Sequence, residues 1–243
     1  MVMKVNILIR FLRKESGLQI RLMIGIILLV LSAGYIGFAQ ADDSLSLVLD
    51  GIKQRYANLP GITVPYERDI LTGSMAMLGE TKGKDQAAGE MLFKPPFYMA
   101  INQQTPKSET ITTNGKHLWW YVPDKKQVYK YPYSRLGKEM RLLSEIFQGL
   151  SDIADSFDVI QSELGDEQEY HLKLIPNPPW QETDHIDLSV ERDNFYIRSV
   201  EIYNYMGSVT RFKLDNFSVR NDLEDDSFIF VVPEGIKVIE ENG

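Results

Sequence analysis

The stretch "TTNGKHLWWYVPDKKQVYKY", residues 112–131, decides how the rest of the chain is read. Asn114-Gly115 is the dipeptide favoured by a two-residue type I′ hairpin turn, because both central positions need positive φ, and Pro123-Asp124 is a second turn signal. Between them lies one short strand. Alternation sends Leu118, Trp120 and Val122 to one face and Trp119 and Tyr121 to the other. Both faces are apolar, whereas an antiparallel sheet ordinarily keeps one face wet. Something must therefore cover each side. Pairing across the turn sets Ile111 opposite Leu118 on the Trp120 side and Thr110 opposite Trp119, which predicts that Leu118 and Trp120 face inward.

Outward from this hairpin, strands are predicted at 62–72, 74–80, 89–94, 97–103, 108–113, 117–122 and 127–131, separated by Gly, Pro, Asn and Lys. "GEMLFKPPFYMAI", residues 89–101, shares the two-sided character: Met91, Phe93, Phe97, Met99 and Ile101 hold odd positions, Leu92, Tyr98 and Ala100 even ones. The strands break at "RLGKEMRLLSEIFQGL", 135–150, where Leu136, Met140, Leu143, Phe147 and Leu150 recur at helical spacing beside Leu142 and Ile146. More strands follow near 156–163, 169–175, 184–191, 195–204, 208–217 and 228–232. Residues 43–59 form a first amphipathic helix, with Leu45, Leu49, Ile52, Tyr56 and Leu59 on one stripe and Asp42 and Asp43 as N-caps. Two helices and about a dozen strands without a βαβ rhythm predict a mainly β protein, a closed or nearly closed antiparallel barrel or a strongly curved sheet.

Each helix needs an apolar surface to lie on, and the inner side of a curved sheet offers one. Either the helices fill that side as an ordinary core, or they fill it in part and leave an apolar hollow for a ligand. Met75, Met77, Met91 and Met99 fall in the first strands, and flexible, polarizable side chains suit irregular apolar guests.

The ends set the compartment. Lys4, Arg10, Arg13, Lys14 and Arg21 precede an uncharged run from Leu22 to Gln40 that ends in Ala39-Gln40-Ala41. This is the order of a cleaved secretory signal peptide over 1–41, the apolar run being also long enough to act as an uncleaved anchor. The 202 residues from 42 to 243 then make one domain, with no linker or repeat. The leader takes five of the 26 basic and one of the 34 acidic residues, leaving 21 against 33, a net charge of −12. Such a chain has no electrostatic reason to bind nucleic acid or an anionic membrane. It contains no cysteine, so the exported form is neither a lipoprotein nor a disulfide scaffold.

Chemistry finds little purchase. His117, His171 and His185 lack metal-ligand spacing, and no G-x-S-x-G or phosphate loop occurs. The acidic run Asp222-Leu223-Glu224-Asp225-Asp226 reads as a solvated loop, with a calcium contact as the alternative. The chain reads as a binder without a cofactor rather than an enzyme.

In order and spacing, the leader, the amphipathic first helix, "GEMLFKPP" (89–96), "TNGKHLWWYVPDKKQV" (113–128), "HLKLIP" (171–176), "IRSVEIYNYMGSVTRFKLDNFSV" (197–219) and "FIFVVPEGIKVIE" (228–240) resemble the periplasmic outer-membrane lipoprotein carrier family of the LolA type. The resemblance implies an incomplete antiparallel β-barrel covered by lid helices, with an apolar cavity that receives acyl chains of lipoproteins. On this reading Met91, Phe93, Phe97, Met99, Ile101, Leu118, Trp120, Met140, Leu143 and Phe147 line the cavity. The implied partners are an inner-membrane lipoprotein-releasing ABC transporter and an outer-membrane lipoprotein receptor, with the carrier a monomer in the periplasm. A sensor, or a carrier of a glycolipid or hopanoid on the same fold, is the alternative. The family's "RP" stands here as Pro95-Pro96, so the arginine that ties the lid to the barrel is missing from its usual place, and Gly73 to Gly89 is longer than usual. A sixteen-carbon chain held fully dry gives on the order of 12 kcal/mol, and three would exceed the practical ceiling of about 20, so the cavity should be shallow and opened by movement of helix 135–150.

Overall fold

The computed structural model describes residues 36–83, 85–133, 138–150, 153–162 and 168–240, with side chains from residue 44 onward and, in the helix that begins at 138, from residue 142. The expected leader lies outside the described residues up to residue 35. Helix α1 (Ile36–Tyr56) runs through Asp42 and Asp43, which are interior residues rather than caps. The chain falls into two compact units, Met1–Leu47 and Val48–Gly243, and the sheet belongs wholly to the second.

Thirteen strands are found among the described residues: β1 (Ile62–Leu71), β2 (Asp85–Lys94), β3 (Tyr98–Thr105), β4 (Glu109–Asn114), β5 (His117–Val122), β6 (Gln127–Pro132), β7 (Phe157–Ser162), β8 (Glu169–Pro176), β9 (Thr183–Glu191), β10 (Ile197–Asn204), β11 (Val209–Leu214), β12 (Ser218–Val219) and β13 (Lys237–Glu240). They form one sheet in the order β13-β6-β5-β4-β3-β2-β1-β11-β10-β9-β8-β7, with β12 beside β1. Every pair is antiparallel except β13 on β6. Because β13 and β7 end this order without pairing to each other, the barrel is incomplete, as expected. Two further helices are α2 (Gly73–Met77) and α3 (Lys138–Phe147). The chain leaves β6 near one edge of the sheet and re-enters at β7, the opposite edge, with α3 on the connection between them.

Cross-strand pairing defines that inner face. Ile62 pairs with Phe93, Phe93 with Met99, Met99 with Thr113 and Thr113 with Leu118, while Val64, Met91, Ile101, Ile111 and Trp120 form the next row. On the other half, Val200 pairs with Leu188 and Leu188 with Leu172, all three buried. The α3 side chains Leu142, Leu143, Ile146 and Phe147 are buried, and the Phe147 ring stacks on Phe93 at 5.5 Å between centroids. From α1, Val48, Ile52 and Tyr56 are buried, so the stripe runs through Val48 rather than the half-buried Leu49. The Tyr56 hydroxyl accepts the N–H of Ile197 at 3.2 Å, and burial pushes its phenol well above the usual tyrosine range.

Three local expectations are corrected. The Asn114-Gly115 turn is wider than type I′: Thr113 pairs with Leu118 and Ile111 with Trp120, two residues off the expected register. The Asn114 side-chain oxygen accepts the N–H groups of Lys116 (3.1 Å) and His117 (3.3 Å), and only Gly115 takes positive φ, +81°. An Asx turn thus replaces the tight turn. Segment 74–80 is not a strand: its residues up to Met77 belong to α2, because Thr72 Oγ1 accepts the N–H of Met75 and caps a helix, and Met77 and Leu78 face solvent. Segment 228–232 is not a strand. After the short turn Asp225–Phe228 it runs as a strap held by side chains, and the last strand is β13.

That strap covers the outer face. Leu223 and Phe228 are buried with Ala100, joined by Leu92 and Tyr98, and Phe230 lies 5.7 Å from Trp119 and 5.5 Å from Tyr121. Lys94 Nζ meets Asp225 Oδ1 at 2.6 Å and Tyr98 OH donates to Asp225 Oδ2 at 3.2 Å. Both apolar faces of "HLWWY" are therefore occupied, one by the strap and one toward the helices.

Candidate functional site

Between the inner face and α3 a small cavity of about 190 Å³ remains. Met91, Ile101, Trp120 and Leu143, all anticipated from the sequence, lie in its wall. Tyr66 and Phe212 complete the apolar lining with Ile111, which the hairpin reading already put on the Trp120 side. Alternation explains each position: Tyr66 follows Val64 on β1, and Phe212 pairs with Val200 on β10. Burial pushes the Tyr66 phenol up, with the Glu109 carboxylate adding to the effect and Arg68 opposing it.

The other anticipated residues divide. Phe93, Met99 and Leu118 are buried on the same face, with Phe147 of α3 buried against Phe93, and all four lie outside the cavity wall. Phe97 departs from the expectation: it sits on the turn between β2 and β3, is 49 % exposed, and meets Tyr133 edge-on at 6.1 Å between ring centroids. The side chain of Met140 lies outside the described residues. Met77 is exposed and Met75 half-buried, so neither adds to the lining.

Three polar groups interrupt the apolar wall and were not anticipated: Arg68, Gln103 and Glu109. Glu109 Oε2 accepts the indole N–H of Trp120 at 2.9 Å, which orients both side chains. Arg68 reaches Asp85 Oδ1 at 3.3 Å. Gln103 donates to the carbonyl of Lys107 at 2.9 Å. None of these groups is placed as an acid–base pair beside a nucleophile, and among the described residues no set of three or more His, Asp or Glu side chains gathers as a metal site. His185 lies between Asp184, at 2.7 Å, and Asp187, at 3.7 Å, and stacks on Tyr203.

An open antiparallel sheet with an apolar inner face, a helix packed against it and a residual hollow is an arrangement that can hold an apolar guest. The chain belongs to the outer-membrane lipoprotein carrier family: the family described as "Outer membrane lipoprotein carrier protein LolA" matches residues 76–231. It is 28 % identical over 204 residues to the outer-membrane lipoprotein carrier protein of Azotobacter vinelandii, covering 84 % of this chain and 91 % of that one. The protein of the same name from Pseudomonas aeruginosa is 26 % identical over 205 residues, with the same coverage of 84 % and 91 %. A crystal structure of an uncharacterized conserved protein from Thermus thermophilus shares the fold at a TM-score of 0.53 and 12 % identity, covering 82 % of this chain and 99 % of that one.

Proposed function

We propose that the protein is a periplasmic carrier that takes the acyl chains of lipoproteins against the inner face of its sheet and moves them from the inner to the outer membrane. It is exported by a leader removed after Ala41, receives cargo from an inner-membrane lipoprotein-releasing ABC transporter, and yields it to an outer-membrane lipoprotein receptor. Family membership supports the class of cargo. The observation that carries the mechanism is the 190 Å³ hollow beneath α3. A dry cavity of about 150 Å³ holds a benzene ring. A sixteen-carbon chain needs far more room than that, so α3 must leave the face for cargo to enter.

The energetics favour such an exchange. Leu142, Leu143, Ile146 and Phe147 are all buried, and at roughly 2 kcal/mol each their docking contributes on the order of 8 kcal/mol. One acyl chain buried on the same surface contributes on the order of 12 kcal/mol. Lid and cargo are thus of similar strength, and the balance can tip either way without ATP. The experiment is a release assay: membranes bearing a lipidated protein are incubated with the purified carrier, and the soluble fraction is separated by gel filtration. A soluble one-to-one complex by native mass spectrometry is expected. Lipoprotein that stays wholly with the membrane counts against the proposal. Intact mass of the exported protein should place its first residue at Asp42.

A further inference from the structure

The polar interruption of the cavity wall has a direction. Arg68 reaches its carboxylate partner Asp85 through one terminal nitrogen, at the long distance of 3.3 Å, and its Nε is buried with no hydrogen-bond partner. A dehydrated N–H of a guanidinium is costly to leave unmade, and nearly all such buried groups in native proteins find an acceptor on protein, ordered water or a bound molecule. Apart from Glu109 and Gln103, whose amide is engaged by the Lys107 carbonyl, the cavity wall beside Arg68 is mainly apolar, with Met91, Ile101, Trp120 and Leu143 in it, so an acceptor bound there fits a molecule that is apolar elsewhere. Within this cavity's wall Arg68 is the one positive charge and Glu109 the one negative, and Arg68 is already paired with Asp85. That balance repels a second carboxylate or a phosphate and accepts a neutral oxygen. Glu109 keeps one oxygen on the indole of Trp120 and can take an N–H or O–H with the other.

We propose that Arg68 and Glu109 form a subsite that reads an uncharged acyl carbonyl, the ester or amide by which a fatty chain joins its parent molecule. The proposal rests on the carrier reading and adds to it that the chain enters with its carbonyl held at this rim. The part-exposed Arg68, 28 % accessible, and Asp85, 62 % accessible, mark the rim as the cavity's outlet to solvent.

Three probes of equal chain length test it on the exported protein at pH 8: a fatty-acid methyl ester, the matching alkyl methyl ether without the carbonyl, and the free fatty acid. Affinities are read by displacement of an environment-sensitive dye. The ester should bind about tenfold tighter than the ether, as expected for a hydrogen bond to a charged donor, and tighter than the acid. Arg68→Met should bring ester and ether within about twofold. Arg68→Lys, which keeps the charge and a donor, should retain part of the preference and guards against a folding defect. Glu109→Gln should raise affinity for the free acid relative to the ester. Equal binding of ester and ether by the unsubstituted protein, or an ester preference that survives in Arg68→Met, overturns the subsite and leaves the carrier reading standing. If the unsubstituted protein takes none of the three, the carrier reading falls and the subsite with it.

Discussion

Replacing Phe147 by alanine should make the protein bind fatty chains better while holding α3 less well. The ring is 1 % exposed and stacks on Phe93 at 5.5 Å with an interplanar angle of 25°. Truncating a buried phenylalanine costs about 3–5 kcal/mol. Because α3 adds no strand to the sheet, it can undock while every ladder stays paired, so the loss falls on docking rather than on global unfolding. Taking 4 kcal/mol, and subtracting about 2 kcal/mol for contacts the ring would itself make with a bound chain, leaves about 2 kcal/mol in favour of the cargo-competent form. Apparent affinity scales with the population of that form, so it should rise more than tenfold. The assay is titration with a fluorescent fatty-acid analogue, run beside hydrogen exchange resolved to residues 142–147 and to the strands. Exchange should quicken in α3 alone. Unchanged or weaker lipid affinity, with protection lost evenly across the sheet, would mean that α3 is ordinary core and that the lid argument is wrong.

The outer face should behave in the opposite way: Phe228→Ala, at a site 1 % exposed, should lower stability to urea by about 3–5 kcal/mol and leave fatty-acid affinity unchanged. Gly89 lies at the β2–β3 irregularity, where a Cβ would stand 2.1 Å from the Asn102 carbonyl oxygen. Gly89→Ala should therefore cost about 3 kcal/mol, seen as a lower urea midpoint. The strap should also loosen in acid. The hydrogen bond from Arg220 holds the Asp222 carboxyl down at about 2, and the one from Lys94 holds Asp225 below the usual range. Carboxyls depressed in the folded state add stability above about pH 4 that is lost as the pH falls toward 2. Amide protection over 220–230 should fall in that window, and less steeply at high salt, where these exposed pairs are already screened.

The inner face was legible because its signal is local. Met91, Phe93, Met99 and Ile101 alternate along two adjacent strands, and alternation alone sorts them. Leu118 and Trp120 kept their side despite the wrong turn type, since the register error was two residues and an even slip preserves faces. Phe97 obeys the same alternation but falls on the turn, where it no longer applies. The strap was misread for a related reason: Phe228 and Phe230 alternate as a strand would, yet they serve rings on another layer. Arg68 and Phe212 could not be placed from sequence, because their meeting depends on β1 pairing with β11, strands far apart in the chain. Thr72 did carry a legible signal in its side chain, a helix cap, which an apolar run of methionines masked.

The strap over Trp119 and Tyr121 has a consequence for how such a molecule survives its work. On the proposed carrier reading, the wall is insulated from behind by a coat anchored through Leu223 and Phe228, so the working side could be stripped and relined without the whole structure coming apart. A vessel built in this way would tolerate an empty, half-filled or occupied hold with the same outer shell, and its durability would be decided by the layer that never touches the freight.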